Sequence, residues 1–335
     1  MGNVRYGVIG LGFFGEIHSE TLSGMVGVEL AAVCTRRPKR LKQVAEKLNV
    51  PKTYTDYRDL LADGDIDAVS VVTHVNDHRD IAIAALKAGK HVFLEKPMAG
   101  TLADCDAILA AARSAKGKFM VGHICRFDPR VHLAKVAIDE GRIGKIVSMH
   151  ATRNLPASIG TAVLDIISPL MGDGIHDTDL MLWFTGKPVR TVYAQNIRVR
   201  NLAHPDGGWA LYRFEDGAVG VVETIWCLPE PTPFTIDARM EIIGTKGAIY
   251  VDCGNAGLTI SDAKGLDKPD TAYWPVVADR RTGALRIELR YFLDCAVAGK
   301  TPDIITPQES RAAVAVICAA ESSAASGRVV RIDAP

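Results

Sequence analysis

Apolar and polar residues alternate along this chain in two rhythms. Through the first third, short apolar runs are separated by amphipathic stretches of helical spacing. Val4 to Ile9, Val28 to Cys34, Asp67 to Thr73, His91 to Glu95 and Phe119 to Val121 read as buried strands. Glu16 to Met25, Pro38 to Leu48, Asp56 to Ala62, Asp77 to Ala88 and Thr101 to Ala115 read as helices, and Gly89 after Ala88 is an ordinary helix stop. Apolar strands regularly interleaved with helices predict a parallel, doubly wound sheet, which takes ligands at the carboxyl ends of its strands.

After about Cys125 the rhythm changes. Pro129 to Glu140 reads as a helix, Lys145 to Thr152 as a strand, and a helix follows near Gly174 to Phe184. Strands then dominate: Thr191 to Arg198, Trp209 to Phe214, Ala218 to Trp226, Phe234 to Ile243 and Ala248 to Val251. The Glu215-Asp216-Gly217 and Thr245-Lys246-Gly247 segments between them are hairpin signals. Helices at Ala284 to Ala298 and Pro307 to Ala325 and a strand at Val329 to Ile332 close the chain. The expected fold is α/β: an N-terminal Rossmann doubly wound parallel sheet over residues 1–124, then an α+β domain over 125–335 on an open, mostly antiparallel sheet. Its last helix and strand are able to pack back toward the first domain. Both faces of the second sheet carry apolar residues, since Val219, Val221 and Glu223 alternate with Gly220, Val222 and Thr224. Such a face is rarely left in water, which predicts a homodimer or homotetramer.

Composition supports this and excludes other classes. The 335 residues suit two domains, and 48% are hydrophobic, enough for a large core. Basic and acidic residues balance at 39 each with no basic stripe, so no nucleic acid is expected as a partner. No apolar run reaches the length of a bilayer span, and the strand at Val4 leaves no room for a signal peptide, so a cytoplasmic protein without membrane association is expected. The seven cysteines are scattered without a Cys-x-x-Cys pair, the pattern of reduced thiols.

Chemistry concentrates at a few places. Gly10-Leu11-Gly12-Phe13-Phe14-Gly15 follows the first strand and opens the first helix. Gly10 permits the tight turn, Gly12 lets backbone approach a pyrophosphate, and Gly15 lets the helix sit close on the strand with its first amides toward the anion. The residue set for a nicotinamide dinucleotide continues through Thr73, His74, Asn76 and His78. At the end of the second strand, NAD-preferring domains place an acid for the ribose hydroxyls, but here stand Thr35, Arg36 and Arg37. A guanidinium there favours NADP over NAD; alternatively Arg36, Arg37, Lys39 and Arg40 are a solvated helix start. Glu95-Lys96-Pro97 lies at the carboxyl end of a strand, where a lysine can donate to a substrate oxygen. In Gly172-Asp173-Gly174-Ile175-His176-Asp177-Thr178-Asp179, helical spacing lets Asp173 or Asp179 share a face with His176, whose ordinary pKa suits proton transfer; an ordinary helix start with capping aspartates accounts equally well for the run. His74 and His78 are four apart, but no third metal ligand is evident and no metal is expected.

Together, the glycine turn, Glu95-Lys96-Pro97 and the His176 to Asp179 run resemble the glucose–fructose oxidoreductase / inositol dehydrogenase / rhizopine-catabolism family. Gly122 to Phe127, Glu140 to Gly144, Gly244 to Gly247 and Ser326 to Val330 extend the likeness over the chain. The resemblance implies an NAD(P)-dependent oxidoreductase moving a hydride between nicotinamide C4 and a hydroxyl/ketone carbon of a sugar, inositol or nucleotide sugar. It implies Lys96 as catalytic lysine, His176 as proton acceptor, Glu95 near the nicotinamide ribose, Arg126 near cofactor and substrate, and a cis peptide before Pro97. Substrate contacts are expected from the second domain at Arg153, Asn154, Asp173 and His176. Many relatives carry an aspartate four residues before the histidine; here that position is Gly172, so either Asp173 takes the role or lysine and histidine act alone. The alternative function is a nicotinamide-binding regulator without turnover, which need not keep both Lys96 and His176.

Overall fold

The computed structural model describes residues 3–161, 163–254, 257–263 and 265–333. The chain divides into two compact units: Met1–Phe127 with Ala272–Arg311, and Asp128–Thr271 with Ala312–Pro335.

The first unit opens with β1 (Val4–Ile9), α1 (Phe13–Ser23), β2 (Val28–Cys34), α2 (Pro38–Leu48), β3 (Lys52–Tyr54) and α3 (Tyr57–Ala62). It continues through β4 (Ala68–Val71), α4 (Val75–Lys87), β5 (His91–Glu95), α5 (Leu102–Ser114) and β6 (Phe119–Gly122). The strands form a six-stranded sheet in the order β3-β2-β1-β4-β5-β6, with parallel pairings throughout. The order reverses between β1 and β4, and there a doubly wound sheet opens a crevice. Val8, Val33, Val69, Val71, Phe93, Leu94 and Val121 are fully buried, as expected of strands covered on both faces. A short 3-10 turn, Ile124–Phe127, ends this segment.

The second unit contains α6 (Pro129–Asp139), β7 (Ile146–Asn154) and α7 (Ala157–Thr161), then a π-helical turn at Leu170–Gly174 that runs into α8 (Ile175–Thr185). Next come β8 (Val189–Ile197), β9 (Gly207–Phe214), β10 (Val219–Ile225), β11 (Asp237–Gly244) and β12 (Ala248–Asp252), and a small hairpin of β13 (Ile260–Asp262) and β14 (Gly265–Asp267). The chain then rejoins the first unit with the hairpin β15 (Val276–Val277) and β16 (Arg280–Arg281) and with α9 (Ala284–Val297). Then follow α10 (Pro307–Ser326) and β17 (Val330–Arg331).

The second sheet has seven strands in the order β12-β11-β7-β10-β9-β8-β17. β7 and β10 are parallel and the other pairings are antiparallel. The period of two is visible in burial: Ala210, Tyr212 and Phe214 point inward, while Trp209, Leu211 and Arg213 alternate with them on the open face. α8 packs on β7 and β10.

The segment expected as one domain, 125–335, thus contributes to both units. Residues 272–311 belong with the first, where Phe292 on α9 meets the Phe93 ring edge-on at 5.7 Å and Arg286 donates to the Gly24 carbonyl. The final strand does not turn back to the Rossmann sheet; Val330 pairs with Val192 of β8 instead.

Candidate active site

The glycine turn joins β1 to α1 at the switch point. Gly10 has φ +97°, and a Cβ there would come within 2.2 Å of the Val72 carbonyl oxygen. A Cβ on Gly15 would come within 1.9 Å of the Gly10 carbonyl oxygen, so the helix sits against the turn only because residue 15 is glycine. A Cβ on Gly12 would meet nothing within 4 Å, and α1 starts there with no side-chain cap. Open space beside uncapped helix amides is a cradle that fits a pyrophosphate. Phe13 is exposed; Phe14 lies edge-on to His18 and to Trp274.

The arginines after β2 do different jobs. Arg37 and Arg40 both donate to the Leu11 carbonyl, at 2.8 and 3.0 Å, and Arg40 also pairs with Glu16. They brace the glycine turn from outside, a role that the sequence reading did not give to Arg37 and missed in Arg40 and Glu16. Arg36 is exposed and meets Asp77 of α4 at 3.0 Å, while Thr35 is buried beside it in sequence.

At the ends of β4 and β5 the expected residues separate into two sets. Thr73 is half-buried, and His74 and Asn76 are exposed at the start of α4. His78 is buried: Nδ1 lies 2.8 Å from the Pro97 carbonyl oxygen and Nε2 3.2 Å from that of Thr73. Burial lowers its pKa, against the pull of those carbonyls. His78 therefore ties the segment after β4 to that after β5, and its ring nitrogens are turned to backbone. The Lys96–Pro97 peptide is cis, as the resemblance implied. Lys96 is half-buried at the carboxyl end of β5. Glu95 is buried, with Oε1 3.1 Å from His18 Nε2 and Oε2 accepting from the Lys96 amide at 3.1 Å. Behind His18, Ser70 Oγ lies 3.4 Å from Nδ1 and 3.0 Å from the Tyr6 hydroxyl, whose pKa is pushed up by burial and eased by Ser70. This buried row anchors the strand end that presents Lys96. Nothing in the apolar pattern marked Tyr6, His18 or Ser70 as part of it.

Arg126, expected near cofactor and substrate, is fully buried; its guanidinium donates to the Ile304 carbonyl at 2.6 Å and to Glu309 at 3.2 Å. It ties the end of the β6 segment to the returning 272–311 segment.

In the second unit, Asp173 and His176 do not lie on one regular α-helix as expected. Asp173 is in the π turn, and His176 is in the first turn of α8, where it is buried. The Asp173 carboxylate accepts from the Trp226 indole Nε1 at 3.0 Å. Arg153 and Asp177 form a buried bidentate pair, at 2.8 and 2.9 Å. Burial raises the Asp177 pKa, Arg153 pulls it back, and the Asp173 charge raises it further. Asn154 donates to Glu223 at 2.8 Å and accepts from the Ile225 amide at 2.8 Å. The two groups expected to face substrate, Arg153 and Asn154, are thus tied to α8 and β10.

The chain is similar to known proteins over nearly its whole length. Residues 4–123 match an oxidoreductase family with an NAD-binding Rossmann fold, and residues 131–250 match the GFO/IDH/MocA C-terminal domain. The chain is 30% identical over 337 residues to a myo-inositol 2-dehydrogenase of Thermotoga maritima, covering 98% of this chain and 99% of that protein. It is 30% identical over 341 residues to a scyllo-inositol 2-dehydrogenase (NAD(+)) of Bacillus subtilis, covering 98% and 96%. A crystal structure of myo-inositol 2-dehydrogenase from Lactobacillus plantarum superposes with a TM-score of 0.87 at 25% identity, covering 99% of this chain and 100% of that one.

Proposed function

The chain belongs to the GFO/IDH/MocA oxidoreductase family, and on that premise we propose that it oxidises a ring hydroxyl of an inositol or a related sugar, with Lys96 and His176 handling the reacting oxygen and its proton. The protein is an NAD(P)-dependent oxidoreductase acting on CH–OH groups. The observation that carries the substrate reading is likeness, over nearly its whole length, to proteins named for inositol oxidation. The bound nicotinamide supplies hydride acceptance at C4. The Gly10–Gly15 turn holds its pyrophosphate on the first amides of α1. Lys96 donates a hydrogen bond to the hydroxyl oxygen and stabilises negative charge developing there. His176 accepts the hydroxyl proton, and the Asp173 carboxylate, three residues before it in the turn leading into α8, is read as the charge that steadies the resulting imidazolium.

Cofactor preference follows from the end of β2. Among residues 34–37 no carboxylate stands ready to repel a 2′-phosphate, and Arg36 is exposed and held by a surface ion pair of the kind that is worth little. Arg36 is therefore free to exchange Asp77 for a phosphate, which supports NADP as the preferred form. The reading also includes a homodimer or homotetramer. Tyr193, Trp209 and Leu211 are exposed on one face of the second sheet, an apolar face suited to a second copy. Among the described residues no helix is long and apolar enough to cross a membrane.

The test is a panel of inositols and sugars with NAD+ and NADP+, scored by formation of reduced nicotinamide. Turnover is expected on at least one polyol or sugar, falling by roughly three or more decades in Lys96→Ala while cofactor affinity stays within a few fold. Cofactor binding without turnover on any panel member would instead favour a nicotinamide-sensing regulator.

A further inference from the structure

Trp226 directly follows β10 and is buried, although it carries a polar N–H. Its backbone is clamped on both sides: the amide donates to the Asp206 carbonyl at 2.7 Å, and the carbonyl accepts from Arg200 at 2.9 Å. Gly160 presses on it so closely that a Cβ there would come within 2.3 Å of the Trp226 carbonyl oxygen. The ring packs with Leu155 and Leu164, flanked by Val163, Ile167 and Ile236. Packing therefore fixes the indole, and an indole has one hydrogen to give. That hydrogen goes to Asp173.

The same ring decides what can stand at position 172. A Cβ on Gly172 would come within 2.5 Å of Trp226 Cη2 and 2.9 Å of Cζ2. The indole already fills the space that a side chain at 172 would need, so the turn before α8 presents its carboxylate from 173. The π geometry of Leu170–Gly174 widens this turn by one residue ahead of the helix bearing His176.

From this we infer that Trp226 is a positioning residue for catalysis: its indole occupies the 172 site and aims the Asp173 carboxylate that serves His176. The inference rests on the proposed role of His176 as proton acceptor. A carboxylate fixed by a rigid donor keeps one orientation through the proton transfer, whereas a solvated one must be reoriented. The effect should appear in kcat, with little change in KM.

The experiment is a double-mutant cycle. Trp226→Phe keeps most of the ring and deletes the N–H, and should lower kcat roughly ten- to a hundredfold. Asp173→Asn should lower kcat as well, and adding Trp226→Phe to it should cost almost nothing more. If Trp226→Phe does not fold, Gly172→Ala displaces the indole with its N–H intact and should give the same loss, again suppressed by Asp173→Asn. An unchanged kcat in Trp226→Phe, or an equal loss with and without Asp173, overturns the inference. Undiminished turnover in His176→Asn would instead overturn the parent assignment, so the two failures are separable.

Discussion

Single residues in this protein divide between those proposed to touch ligand and those that hold them. On the proposed reading, Arg36 belongs to the first kind. Arg36→Ala should weaken NADP binding by roughly one to two decades and leave NAD almost unchanged, as expected for loss of a phosphate–guanidinium contact. Titration of both cofactors decides it, and tighter wild-type binding of NAD than of NADP would return Arg36 to a solvated helix start. His78 belongs to the second kind. Its folded-state pKa is lowered by burial, so the native protein binds fewer protons there than the unfolded chain. Its contribution to stability is therefore full above the ordinary imidazole value of about 6.5 and falls as pH drops through it. Urea midpoints should decline between about pH 7.5 and pH 5.5 in the wild type and less so in His78→Asn. Equal declines would show that other groups set the acid sensitivity.

Among the elements, the glycine turn makes the clearest contrast. Gly15→Ala puts a methyl against the Gly10 carbonyl, so it should lower stability by about 1–3 kcal/mol and open the cofactor cradle. Gly12→Ala meets no protein atom, so its melting temperature should stay near wild type while cofactor affinity drops. Normal cofactor affinity in Gly12→Ala would contradict close approach of phosphate at that residue. This turn was legible in the sequence because Gly10 and Gly15 answer to steric demands of the fold and the strand and helix around it have strong periods. β3, with three residues, was too short to show a period and read only as a lead-in to the next helix. The π turn before α8 was invisible for another reason. A widened turn uses the same residue types as a regular one, so Asp173 and His176 were spaced as if on a single helix. The ion pairs of Arg126 and Arg153 were not legible either, because a charge in a sequence suggests a ligand, whereas partners such as Glu309 and Asp177 come alongside only once the chain is folded.

For the whole molecule, the open sheet face bears on assembly. Trp209 and Leu211 stand exposed on it. Leu211→Glu should shift the protein toward monomer in light scattering while cofactor affinity is retained, and a wild-type monomer at working concentration would contradict the assembly. The division of the chain bears on something else. The first unit is not finished at Phe127; it also needs 272–311, where Arg281 reaches Glu20, Arg290 reaches the Val26 carbonyl and Phe292 covers Phe93. During synthesis the Rossmann sheet therefore emerges from the ribosome long before the strip that seals one side of it. The second unit is in a similar position, because its β8 edge waits for β17 near the end of the chain. Neither unit is built from one continuous stretch of chain, so the first closes only once 272–311 has been made, and the second only once β17 can pair with β8.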